Sequence, residues 1–300
     1  MEMKMLRRIT GLIAFMSILA MAAPAMGHGL WVNVYKNEMY SPGHAIATVG
    51  FGHISPLDDL LTSDVGKIEV GTYQLVDPDN KKTDLPLPKS AIKKIPTSAA
   101  LKITTGELGA SKFAFKSDTK PGTYQVNARA KDTFFTVWID KNGKRRKGTV
   151  AIDQIDNPKK IILSLRYLNI AKSCFSVGKW TKPVSQGYPL EITPISDLSN
   201  VRPGDLVEFE VTFGGRPLSI GAEGLFQMTG ISRSFGGKEK TFIMSYPHDG
   251  RCRFTMPTVG QWLMQINVMQ KVADRPELAD LKGKCLSIYY TSSFTFNVKP

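Results

Sequence analysis

Apolar and polar residues alternate in short runs along most of the chain, with the period of two that marks a half-buried strand. The pattern predicts strands over Leu30–Tyr35, Ala45–Phe51, Lys67–Val76, Lys112–Phe115, Thr123–Ala130 and Thr133–Ile139. Later in the chain it predicts Val207–Phe213, Lys240–Ser245, Arg251–Met256, Gln261–Val268 and Ile288–Val298. Gly, Pro, Asn and Asp separate these runs, as turns between antiparallel strands require. Helical periodicity is confined to two short stretches, Pro56–Ser63 and Pro276–Lys282. An all-β chain of sandwich type is therefore expected.

A loose internal repeat divides it. Ser41-Pro42-Gly43-His44 opens a strand ending Phe51-Gly52, and Arg202-Pro203-Gly204-Asp205 opens one ending Phe213-Gly214. Pro121-Gly122-Thr123-Tyr124 and Val259-Gly260-Gln261-Trp262 begin later strands in the same way. Trp180–Gly187 reads as the linker. The expected architecture is two immunoglobulin-like β-sandwich domains in series, residues 28–180 and 188–300.

Residues 1–27 change the picture. Lys4, Arg7 and Arg8 precede an apolar run, Gly11–Ala23, which is short for a membrane span and is followed by small residues. This is the layout of a secretory signal peptide. Ala25-Met26-Gly27 places a cut before His28, and Ala23-Pro24-Ala25 places one before Met26. The mature chain is then expected in the periplasm, with no transmembrane segment. The formal net charge of +13 favours anionic surfaces, but export makes nucleic acid a poor partner. The run Lys141–Lys147 contains Asn142-Gly143 between two expected strands, so it reads as a solvated hairpin tip.

Cysteine usage is sparse. Cys174, Cys252 and Cys285 form no CxxC pair, which removes support for a thiolate metal cluster or redox motif. Cys252 and Cys285 share the C-terminal third and are the pair that position favours for a disulfide.

The histidines carry the most specific chemistry. Of four, His28, His44 and His53 lie close behind the leader, and His248 lies in a Pro-His-Asp-Gly turn. A hairpin centred between Tyr40 and Ser41 pairs residues whose numbers sum to 81, which brings His28 to His53 at its open end. Cutting before His28 frees an α-amine beside its own imidazole. Amine and imidazole can chelate one metal ion, with His53 as a third nitrogen, a histidine brace suited to Cu or Ni. Cutting before Met26 leaves Met-Gly-His, a terminus that also wraps Cu²⁺ or Ni²⁺. His44 and His248 read as turn residues. Asp58 and Asp59 read as an acidic pair at a helix start, with a secondary role in orienting a ligand.

Several segments in order resemble a known family. They are His28-Gly-Leu-Trp31, Pro42-Gly43, Gly52-His53, Pro189–Pro194, Arg202–Asp205, Arg216-Pro-Leu218 and Asp249–Phe254 leading to Gly260-Gln-Trp262. The chain resembles exported bacterial proteins described as periplasmic components of nickel or cobalt uptake systems. The resemblance implies a two-domain β protein that binds Ni²⁺ or Co²⁺ through His28 and His53 and hands it to an inner-membrane importer. Gly29 departs from the larger or polar residue often found there.

Hydrolytic motifs such as Gly-x-Ser-x-Gly, HExxH and a phosphate loop are absent from the sequence. Two other classes stand beside the metal carrier. One is a metal-free β-sandwich interaction or adhesion module, and the other is a copper histidine-brace oxidative enzyme.

Overall fold

The computed structural model describes residues 28–39, 41–63, 66–97, 100–221, 224–233 and 240–300. The leader, Met26 and the residues preceding both expected cuts lie outside the described residues.

The chain is an all-β sandwich, as its period-two pattern predicts. In chain order the strands begin with β1 (Gly29–Asn37), β2 (His44–Gly52), β3 (Thr62–Ser63), β4 (Gly66–Lys67), β5 (Val70–Val76) and β6 (Lys82–Asp84). There follow β7 (Lys93–Ile95), β8 (Ile103–Thr105), β9 (Ser111–Ala114), β10 (Gly122–Ala130), β11 (Thr133–Ile139) and β12 (Arg145–Gly148). The second half holds β13 (Lys160–Val177), β14 (Leu190–Pro194), β15 (Leu206–Phe213), β16 (Arg216–Pro217) and β17 (Met228–Arg233). The last strands are β18 (Lys240–Ser245), β19 (Arg251–Thr255), β20 (Gly260–Lys271) and β21 (Ser287–Val298).

Three sheets build the body. One runs β1-β2-β9, a second joins β14, β15, β16 and β19, and the third runs β18-β17-β20-β21-β13-β10-β5-β6 with β11 and β12 attached beside β13. Strand β13 organises all three. Successive side chains of a strand point to opposite faces. Ala171 and Phe175 enter the core beneath β1-β2-β9, while Leu168 and Cys174 pack into the core beneath the β14–β19 sheet. The small sheets thus cover opposite faces of one large sheet, which continues from one half of the chain to the other through the parallel β13–β21 pair.

Strands β13, β14 and β17 escape the alternation reading. β13 is buried on both faces over most of its second half, and a strand covered twice shows no polar face. Pro276–Leu281 is a 3₁₀ helix, but the helix expected over Pro56–Ser63 does not form. Its backbone groups are committed elsewhere: Asp59 N–H donates to Phe51 O at 3.1 Å, and Pro56 O accepts from Trp31 and Asn33. The expected Cys252–Cys285 disulfide is also not formed, and all three cysteines are free thiols. Both side chains sit in the C-terminal core, where burial raises their pKa, that of Cys252 to about 12, so each stays a protonated, small apolar group.

An edge strand exposes a row of unpaired backbone groups. On β1 that row is answered by side chains. Ser293 Oγ donates to Leu30 O at 2.7 Å, Thr295 Oγ1 to Val32 O, and Asn297 Nδ2 to Val34 O at 3.0 Å. Donors at alternate positions of β21 thus meet carbonyls at alternate positions of β1. They pin the strand that begins beside His28 to the middle of the large sheet.

Candidate functional site

The β1–β2 hairpin has the register expected from its turn. Gly29 faces Gly52 and Leu30 faces Phe51, each pair summing to 81. One step beyond, His28 meets His53 with ring centroids 4.1 Å apart and planes tilted by 51°. The His28 ring also stacks on Phe51 at 5.1 Å and 21°. His44 lies at the opposite end of the hairpin, across from Asn37, and His248 sits in a turn bridged to Arg251. Neither joins the pair.

The segment after β2 folds back over the hairpin and carries two carboxylates to the rings. Trp31, buried against its cross-strand partner Gly50, donates from Nε1 to Pro56 O at 3.0 Å, and Asn33 Nδ2 donates to the same oxygen at 2.8 Å. A Cβ on Gly50 would lie 2.0 Å from Trp31 Nε1, so only glycine leaves room for the indole. Gly52 has φ of +129°, and a Cβ there would lie 2.5 Å from Asp58 Oδ2. This close approach lets Asp58 accept the His53 backbone N–H at 2.7 Å.

Each carboxylate faces one imidazole. Asp58 Oδ2 lies 3.6 Å from His53 Nδ1, and Asp59 Oδ2 lies 3.9 Å from His28 Nε2. These are ion-pair distances, longer than hydrogen bonds. The aspartates are therefore partners of the histidines, not the helix start expected for them. Burial, and then the neighbouring His53 ring, holds the His28 pKa below the ordinary imidazole value, against the opposing pull of Asp59 and Asp58. The neutral imidazole is the form that ligates metal.

The pairing leaves His28 Nδ1 and His53 Nε2 free of carboxylate. This matters because an α-amine and an imidazole on one residue close a six-membered chelate through Nδ1, not through Nε2. A carboxylate opposite the other ring nitrogen is the usual support for a metal-bound histidine. Among the described residues no three His, Cys, Asp or Glu side chains converge to hold a metal ion. Side chains alone offer two nitrogens. A third donor is not among these side chains; a chain cut before His28 would carry an α-amine on the residue that bears one of the two rings. The donor set therefore fits a nitrogen-preferring divalent ion such as Ni²⁺, Co²⁺ or Cu²⁺.

Three contributors were not legible as site residues. Phe51 reads as strand core, Trp31 as a buried aromatic, and Gln265 is remote in sequence. Gln265 lines a small cavity beside His53 together with Gly29, Gly52 and Ser293. A Cβ on Gly29 would stand 3.1 Å from Gln265 Nε2, so the glycine after His28 fits the close packing of the hairpin end against β20. No described helix is long and apolar enough to cross a membrane.

No curated protein matches the chain. Residues 25–270, which hold the hairpin, its histidines and most of all three sheets, match one family model, and the chain belongs to that family, the domain of unknown function DUF4198.

Proposed function

We propose that this protein is an exported metal-binding protein that takes up Ni²⁺ or Co²⁺ in the periplasm and passes it to an inner-membrane importer. The observation that carries the reading is the convergence of His28 and His53, 4.1 Å apart, with Asp59 and Asp58 each addressing the ring nitrogen that chelation leaves over. The ligands are His28 Nδ1, the α-amine created by cutting before His28, and His53 Nε2. The ion is cargo. The His28 and His53 side chains are 23% and 49% exposed, which leaves the ion open to a receiving protein. The positive net charge repels cations at long range, and Asp58 and Asp59 offset it locally. The resemblance to nickel and cobalt uptake components supports the same assignment.

Native mass spectrometry of the protein taken from its export compartment, with no tag at its start, tests this directly. A mass beginning at His28 and carrying one Ni or Co is expected. A metal-free mass that stays unchanged when those ions are added contradicts the proposal.

The stacking of Phe51 on His28 favours a second reading, a copper-bearing oxidative site, because an aromatic group lies against the ligand ring. Copper selectivity over nickel, with peroxide formed in the presence of a reductant, would replace the carrier reading with that one.

A further inference from the structure

Cross-strand partners in a sheet share a face, so the strand registers define which residues lie together on the large sheet. Ser293 and Ala171 share a face with Thr295 and Ser173, and there the β1-β2-β9 sheet covers them. Farther along the same face exposure rises at some positions, although Leu165 and Val137 remain buried. One row there is Met269, Tyr289, Tyr167 and Thr133. The next pairs Leu165 with Phe135, then come Leu163, Val137 and Lys147, then Lys160, Ile139 and Arg145.

Met269 is 56% exposed and Leu163 38%, and the two tyrosine rings meet edge to face at 5.4 Å. Lys147, Lys160 and Arg145 are exposed along one margin, and Lys141 and Lys144 follow at the β11–β12 tip. No Asp or Glu occupies any position of these rows. The face thus joins an apolar and aromatic strip to a basic margin, with Lys141 at the tip paired to Asp156 at 3.7 Å.

A second copy of the chain is a poor occupant, since a twofold contact would set this basic margin against itself. Tyrosines with a polar tip and long basic side chains around apolar surface are instead matched to an interface of acyl chains and anionic headgroups. We infer that this part-exposed end of the large sheet, with Met269, Leu163 and the basic margin at its surface, is a docking face for an anionic phospholipid surface. This binding is independent of the histidine site and needs no metal.

Sedimentation with vesicles tests it, using mixed phosphatidylglycerol and phosphatidylcholine against phosphatidylcholine alone, on metal-free protein. Binding is expected only with the anionic lipid, and high salt should weaken it. The triple variant R145E/K147E/K160E should lower affinity by about 100-fold or more, on the basis of about 1 kcal/mol for each basic residue at such a surface. The matched control K93E/K94E/K102E changes the net charge equally away from this face and should bind nearly as well as the parent. L163S/M269S should also weaken binding while its circular dichroism stays unchanged. Equal losses in the two triple variants would reduce the effect to net charge and overturn the docking face. Absence of sedimentation by folded parent protein would overturn it as well, and would favour an acidic protein as the occupant.

Discussion

Two clusters of opposite charge in this protein have contrasting surroundings. Lys172 of β13 and Glu191 of β14 form an ion pair with Nζ and Oε1 2.5 Å apart, and neither side chain reaches solvent. Glu191 also accepts from Ser185 Oγ and from the backbone N–H groups of Gln186, Gly187 and Tyr188. Burial opposes its ionisation, but Lys172 and these donors hold its pKa below the usual carboxylate range. At the other cluster, His28, His53, Asp58 and Asp59 are part-exposed, the ion-pair distances are long, and two ring nitrogens have no carboxylate partner. Glu191 has no capacity left for a ligand, whereas the histidine pair keeps two ring nitrogens without a carboxylate partner. A charge cluster whose bonds are complete binds layers of the fold together, and an incomplete one at an open strand end is where an ion can enter.

The contrast breaks most readily at the buried pair. Lys172→Ala leaves the Glu191 carboxylate without its cation and should cost about 3–5 kcal/mol of stability by denaturant unfolding. Replacing both residues with apolar groups of similar volume should recover most of that loss. At the hairpin end, Gly50→Ala forces the Trp31 indole off its partner strand and should cost about 1–3 kcal/mol, together with weaker nickel binding because Pro56 and the aspartates shift. Nickel at about 100 times its dissociation constant should stabilise the protein by about 2.7 kcal/mol, seen as a higher melting temperature. His53→Ala should abolish that rise without lowering the metal-free stability comparably.

The smallest effect is in pH. A histidine held below its unfolded pKa of about 6.5 binds its proton more weakly in the folded state. Its contribution to stability is therefore present above about pH 6.5 and is lost as the pH falls through the depressed folded value. The metal-free protein should lose a little stability on acidification in that window, and His28→Gln should flatten that part of the profile.

The hairpin that carries the histidines was legible because its information is local. Alternation marked both strands, Pro42-Gly43 marked the turn, and the sum of 81 followed from the turn alone. The support around the histidines was not. Asp58 and Asp59 follow a proline and look like a helix start until Trp31 and Asn33, more than twenty positions earlier, take the Pro56 carbonyl. Strand β13 was hidden for a different reason. With one small sheet on each face, Ala171 and Lys172 are both fully buried, and a Lys with its own buried Glu partner reads in sequence as a solvent position.

An α-amine ligand at His28 is tested by acetylating that amine, which leaves every side chain in place. Nickel titration by calorimetry would compare protein beginning at His28 with the same protein acetylated at its α-amine. Acetylation is expected to weaken binding by about 100-fold or more, equivalent to about 3 kcal/mol. Equal affinity for the two proteins would contradict an α-amine ligand, and would leave His28 and His53 binding metal, if at all, through their side chains alone.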